Sequence, residues 1–148
     1  MKLLKYVSFS LLFVFFSCKK EENSVSKLES IHATLKKEFA PDKRVELFNI
    51  HFEFIDNQLI LEGETTTKKA FEILLDSIKN RELNFINNVR SLPDSAVGNK
   101  KYALGNNSVI NIRSNPRHSA ELGTQGLLGM PLKVLDKKGD FYRIQTPD

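Results

Sequence analysis

The sequence predicts an α+β fold in which a small αββαβ sandwich precedes a β-barrel lacking its last strand, behind a removable leader. Three observations carry this. Apolar residues recur at helical spacing up to Phe39 and then switch to strict alternation from Phe48 to Phe54. They return to helical spacing from Ala70 to Ile78, before another strand-like run. Beyond residue 101, short apolar runs are separated by Gly and Pro turns roughly every ten residues. A chain of 148 residues holds two such modules, and 41% hydrophobic with 27% charged residues is the balance of a folded chain.

Elements follow in order. Val25, Leu28, Ile31, Leu35 and Phe39 form one apolar stripe, and Pro41 stops the helix because proline cannot continue the hydrogen-bond ladder. Phe48, Ile50, Phe52 and Phe54 alternate with Asn49, His51 and Glu53, the pattern of a half-buried strand. Asp56-Asn57 is a hairpin turn, and Leu59 to Glu62 returns as a second strand ended by Gly63. Thr65 to Thr67 can cap a second helix, whose buried face is Ala70, Phe71, Leu74, Leu75 and Ile78. Leu83, Phe85, Asn87 and Val89 suggest a third strand, closed by Leu92-Pro93-Asp94. This places the α+β module at 27–93 and a linker at 94–101. In the module at 102–148, strands are expected at Val109 to Arg113, Pro131 to Leu135 and Phe141 to Gln145, with a charged turn from Asp136 to Asp140.

Before these modules, Lys2 and Lys5 precede an apolar run from Tyr6 to Phe16, and Ser17-Cys18 follows. This describes a secretory signal of 17 residues. A membrane-spanning helix needs about 20 apolar residues, and Lys19-Lys20-Glu21-Glu22 ends the run too early. Phe15-Phe16-Ser17-Cys18 resembles a bacterial lipobox in the looser form of Bacteroidetes-like lipoproteins. The resemblance implies cleavage before Cys18, lipidation of Cys18, and a tether over 18–26. Several acyl chains on one cysteine suffice for stable anchoring, since each buried methylene contributes about 0.8 kcal/mol. Lys19-Lys20-Glu21-Glu22 also resembles the surface-export signal of such lipoproteins. The expected location is therefore the cell envelope, on a bacterial membrane and in some cases displayed outward.

The two modules carry resemblances of their own. The order helix, strand, strand, helix, strand is similar to that of BON-type modules, in topology alone. At the C-terminus the motif is fuller: Asn111-Ile112-Arg113-Ser114-x-Pro116, then Leu132-Lys133-Val134-Leu135, then Gly139-Asp140-Phe141-Tyr142-Arg143-Ile144. It resembles a bacterial SH3-like domain. Phe141 stands where that family usually has Trp, and the family pattern continues past Asp148 with a glycine turn and a closing strand. The lipoprotein signal, α+β module and SH3-like domain together resemble the front half of Bacteroidetes lipoproteins that end in an NlpC/P60 cysteine peptidase. That resemblance implies a catalytic domain beyond this chain and an SH3-like domain that recognises peptidoglycan stem peptide.

The chemistry within the chain is that of binding. Lysine and arginine total 22 against 18 acids, and removing Lys2 and Lys5 leaves 20 against 18, which gives little reason to expect nucleic acid. Cys18 is the single cysteine, which excludes an internal disulfide and multi-cysteine metal sites. Once acylated it cannot serve as a nucleophile. No Gly-x-Ser-x-Gly elbow, Walker loop or GxGxxG occurs, and no histidine–carboxylate spacing suits a metal. The acidic pairs Glu62/Glu64 and Glu72/Asp76 fit solvated faces, as do the basic residues Lys36, Lys37, Lys43 and Arg44. His32 and His51 are expected at solvated structural positions. No cofactor and no catalytic residue is expected. The ligand-binding residues expected from the SH3-like resemblance are Asn111, Arg113, His118, Tyr142 and Arg143, near one barrel mouth. A guanidinium there can pair bidentately with a peptide carboxylate and a Tyr ring can stack on an apolar stem. Arg113 has two readings, a brace for its own loop or a ligand contact, and Tyr142 has core packing as its rival. The expected function is wall-peptide recognition by the anchored half of a peptidase, or else a non-enzymatic envelope adaptor that binds a protein partner.

Overall fold

A computed structural model describes residues 14–56 and 58–147, with side chains from Val25 onward. Helix α1 (Val14–Phe39) leads into β1 (Phe48–Ile55), β2 (Gln58–Thr65), α2 (Lys68–Lys79) and β3 (Phe85–Ser91). Residues 23–26, expected as part of the tether, continue α1 as helix. Residues 1–13 of the expected signal lie outside the described residues, as does the side chain of Cys18. Among the described residues no helix is long and apolar enough to cross a membrane.

The apolar stripe of α1 buries Leu28 and Leu35, that of α2 buries Ala70, Phe71, Leu74 and Ile78, and the inward faces of β1 and β2 bury Phe48, Ile50, Leu59 and Leu61. These form one core between the helices and the sheet. Ile55 pairs with Gln58 across a two-residue connection, which fixes the β1–β2 antiparallel register, and Asp56 takes φ 49° there. Asn57 lies outside the described residues. β3 then runs parallel to β2 after the α2 crossover, giving the order β1-β2-β3 in a mixed sheet. The close approach of β1 to β2 demands glycine at position 63: its φ is 132°, and a Cβ there would sit 2.0 Å from the Asn49 carbonyl oxygen.

Capping of α2 differs from the expectation. Thr67 is the N-cap residue, yet its side chain makes no capping bond; the Thr65 hydroxyl instead accepts from the Thr67 N–H at 3.0 Å. The buried Thr65 hydroxyl also donates to the Leu47 carbonyl at 3.1 Å, so these threonines fasten the β1 entrance rather than the helix start.

The connection at 94–101 is itself folded. A 3-10 turn (Ser95–Val97) is capped by Asp94, which accepts from the Ala96 N–H at 2.9 Å, and Val97 is buried. The following strands are β4 (Tyr102–Leu104), β5 (Val109–Arg113), β6 (Leu122–Leu127), β7 (Pro131–Lys138) and β8 (Phe141–Gln145). They form two sheets, β4-β7-β8 and β5-β6, that do not close on one another, so the expected barrel is an open pair of sheets. β4 and β6 had no clear signature: β4 has three residues, and β6 carries Gly123 and Gly126, which weaken a strand pattern. Gly126 has a steric reason, since a Cβ would lie 2.9 Å from Ile110 Cγ1 and 2.8 Å from Met130 Sδ. The expected five-residue charged turn is shorter. Lys138 still pairs with Phe141, leaving Gly139-Asp140 as the turn, with Gly139 at φ 59°.

The modules are fastened to each other. Leu47, Leu92 and Leu135 form a second buried cluster, and the Asp94 N–H donates to the Leu135 carbonyl at 2.8 Å. Around it, Arg143 pairs with Glu64, Arg90 with Asp136 at 2.6 Å, and Lys133 with Glu46 at 3.3 Å.

Candidate functional site

β5 and β8 border a cavity of about 530 Å³, and the loop after β5 contributes Ser114, Asn115, Pro116 and His118 to its wall. All five ligand-binding residues expected from sequence line it: Asn111, Arg113, His118, Tyr142 and Arg143. β5 alternates up to Ile112, and a register shift between Ile112 and Arg113 interrupts the pattern, leaving both half-buried.

Each residue has a defined setting. Arg113 is half-buried, and its Nη1 donates to the Ala120 carbonyl at 2.7 Å, bracing the loop that carries His118. The Ser114 N–H closes the same loop on the Glu121 carbonyl at 3.0 Å. Asn111 Oδ1 accepts from Gln125 Nε2 at 2.9 Å across the β5–β6 pair. His118 packs on Phe141, ring centres 5.0 Å apart. Tyr142 is 51% exposed, which removes core packing as its role, and Lys137 Nζ lies 5.4 Å from its ring centre. Phe141, its neighbour on the opposite face, is half-buried.

Arg143 is turned to a different task. Its Nη1 and Nη2 donate to the two carboxylate oxygens of Glu64 at 2.6 and 2.5 Å, a bidentate pair between β8 and β2. This bond holds the Glu64 carboxyl below its ordinary value and raises the guanidinium. Arg143 therefore lines the cavity while its fork is committed to the neighbouring module. Glu64, expected as part of a solvated acidic pair, is that partner.

Lys138 and Asp136 also line the cavity, although sequence reasoning placed both in a turn. No apolar alternation marks them, because β7 continues through Lys138 past a register shift between Val134 and Asp136. Asp136 pairs with Arg90, which lowers its carboxyl, whereas the Lys138 ammonium has no ion-pair partner among the described residues. The lining thus includes a lysine, an exposed tyrosine, a histidine and an asparagine together with Ile110, Ile112 and Ile144. This lining suits a small polar ligand carrying a carboxylate and an apolar stem.

The remaining singled-out residues are dispersed. His32 is half-buried rather than fully solvated: its ring stacks on Phe48 at 4.9 Å and its Nε2 lies 3.2 Å from the Phe48 carbonyl oxygen, as donor in the Nε2–H tautomer. Burial lowers its pKa, and the hydrogen bond to Phe48 opposes that shift. His51 is exposed. Glu72 pairs with Lys68 at 3.7 Å and Asp76 with Lys79 at 3.6 Å, both on the exposed side of α2. Of the basic residues, Lys36 donates to Asn49 Oδ1 at 2.9 Å and Arg44 pairs with Asp42 at 2.6 Å. Among the described residues no group of three or more His, Cys, Asp and Glu side chains could hold a metal ion.

Residues 108–148 match the family model described as bacterial SH3 domain. The matched stretch carries β5 to β8, which include the strands bordering the cavity, and it begins inside the boundary expected at residue 102. No curated protein and no solved structure matches the chain.

Proposed function

We propose that this chain is a membrane-anchored cell-envelope lipoprotein segment whose bacterial SH3 domain recognises a peptidoglycan stem peptide in the β5–β8 cavity. The observation that carries the reading is the convergence of Asn111, Arg113, His118 and Tyr142 on one cavity beside Lys138. Bacterial SH3 domains often bind peptidoglycan, and a stem peptide presents carboxylates, amides and short apolar side chains. Lys138 attracts the carboxylate, the exposed Tyr142 ring covers the apolar portion, and Arg113 holds the loop in a receptive shape without spending its whole fork. Cys18 supplies the lipid attachment. The SH3 domain serves as the targeting and specificity half of a cell-wall cysteine peptidase whose catalytic domain lies outside these 148 residues. This chain itself performs no catalysis.

Titration calorimetry of the full chain with purified stem tetrapeptide tests the reading. Saturable binding is expected, weakened about tenfold by Tyr142→Ala, in line with a loss of about 1.4 kcal/mol for an aromatic contact. Absence of binding, or equal binding by the variant, overturns the assignment of this cavity. The peptidase association is tested separately, by seeking stem-peptide cleavage in a gene product that extends this chain.

A further inference from the structure

A second cavity, about 640 Å³, lies between the 44–45 segment and the β4-β7-β8 sheet. Its walls are apolar and open: Tyr102 is 80% exposed, Leu104 67% and Val45 52%. Such a concentration of exposed apolar surface marks an interaction site. The charges at its rim are matched internally, Lys133 with Glu46 and Arg44 with Asp42, so the groove presents no net charge to a ligand. Gln145 lines it too and is only 9% exposed. Its Nε2 and Oε1 both lack a hydrogen-bond partner among the described residues. Register places Gln145 opposite Lys133, which is itself opposite Tyr102, so all three share one row of the sheet.

A buried amide left without partners is costly, and such groups are rare in folded proteins. What satisfies a carboxamide at both ends is a donor and an acceptor side by side, which the N–H and C=O of a single residue offer in extended backbone. Apolar walls, neutral rims and an orphaned amide therefore specify one occupant. We infer that this groove docks an extended, uncharged, apolar segment of a partner polypeptide, with Gln145 turning to pair with the N–H and C=O of one of its residues. This goes beyond the β5–β8 cavity, whose proposed ligand is anionic, and it stands or falls independently of it.

The test uses the full chain and a neutral probe, N-acetyl-Leu-Val-Leu-Val-amide carrying a fluorophore, with N-acetyl-Ser-Gln-Ser-Gln-amide as control. The apolar peptide is expected to bind saturably and to shift the Gln145 side-chain amide resonances, while the control does neither. Gln145→Leu removes both orphaned atoms at similar volume, so it is expected to raise the melting temperature while weakening binding about tenfold. Tyr102→Ala, at an exposed position, is expected to weaken binding without changing the melting temperature. Three results overturn the inference: no binding of the apolar peptide, unchanged affinity in Gln145→Leu, or a wild-type dimer in sedimentation that Tyr102→Ala converts to monomer. The last would show that a second copy covers the groove.

Discussion

Single residues in this protein are held by opposite means. Gly63 is held by the absence of a side chain: alanine there would drive a Cβ to 2.0 Å from a backbone oxygen and force a side chain onto φ 132°. Gly63→Ala is expected to destabilise the chain by about 2–4 kcal/mol in urea unfolding, near the upper end for point substitutions. Gly98→Ala, where a Cβ meets open space, is expected to cost about 1 kcal/mol through φ alone. His32 is held by burial against Phe48. Because burial lowers its pKa below 6.5, the unfolded chain binds the proton more readily, and stability falls as pH drops below that value. His32→Phe, which keeps a ring on Phe48, is expected to flatten the melting temperature between pH 7 and pH 5. An unchanged pH profile would remove His32 from the account.

Between elements, the ion pairs that join β2 and β3 to β7 and β8 matter more than those on the helices. The Glu64 side chain is 22% exposed and Asp136 21%, whereas Glu72 and Asp76 are 60% and 71% exposed on α2. Exposed helix pairs contribute about 0.3–0.5 kcal/mol at best. Both interface carboxyls are lowered, chiefly by their arginine hydrogen bonds, so their stabilisation is complete at neutral pH. It is lost as pH falls below the ordinary carboxylate range and through their lowered values. Glu64→Gln is expected to cost about 1 kcal/mol at pH 7 and progressively less as pH is lowered below the ordinary carboxylate range, measured as the difference in unfolding free energy between variant and parent. An equal cost at every pH would show that the pair acts by shape rather than charge.

For the molecule as a whole, the small second cluster decides whether two modules behave as one. Leu135 is 1% exposed and packs with Leu47 and Leu92, one residue from each side of the α+β sheet's entry and exit and one from β7. Leu135→Ala is expected to cost about 2–4 kcal/mol. It should also separate the unfolding of the modules: helix content followed by circular dichroism and Tyr142 environment followed by fluorescence would no longer report one transition. Coincident transitions in the variant would mean that the ion pairs alone couple the modules. Through Arg143, the same interface governs the β5–β8 cavity, since the guanidinium that lines its wall is anchored on Glu64.

Periodicity alone determined the helices, strands β1, β2, β3, β5, β7 and β8, and the apolar faces of the α+β core, because burial of every third or fourth, or every second, side chain leaves its spacing in the chain. The bacterial SH3 frame was legible as well, since Asn111, Arg113, Pro116 and the Phe141-Tyr142 pair stand at fixed separations. Local spacing could not indicate β4 or β6, whose pairing depends on β7 and β5 rather than on their own composition. Nor could it indicate where a charge is spent. Glu64 and Arg143 lie 79 positions apart, and nothing near either in sequence names the other. Only the tertiary structure turned Arg143 from a free fork into a fastener, brought Lys138 to the cavity, and buried the Gln145 amide without a partner among the described residues. Hydrophobic patterning is written along the chain by secondary structure, whereas the pairing of polar groups is settled by which surfaces packing brings within three ångströms.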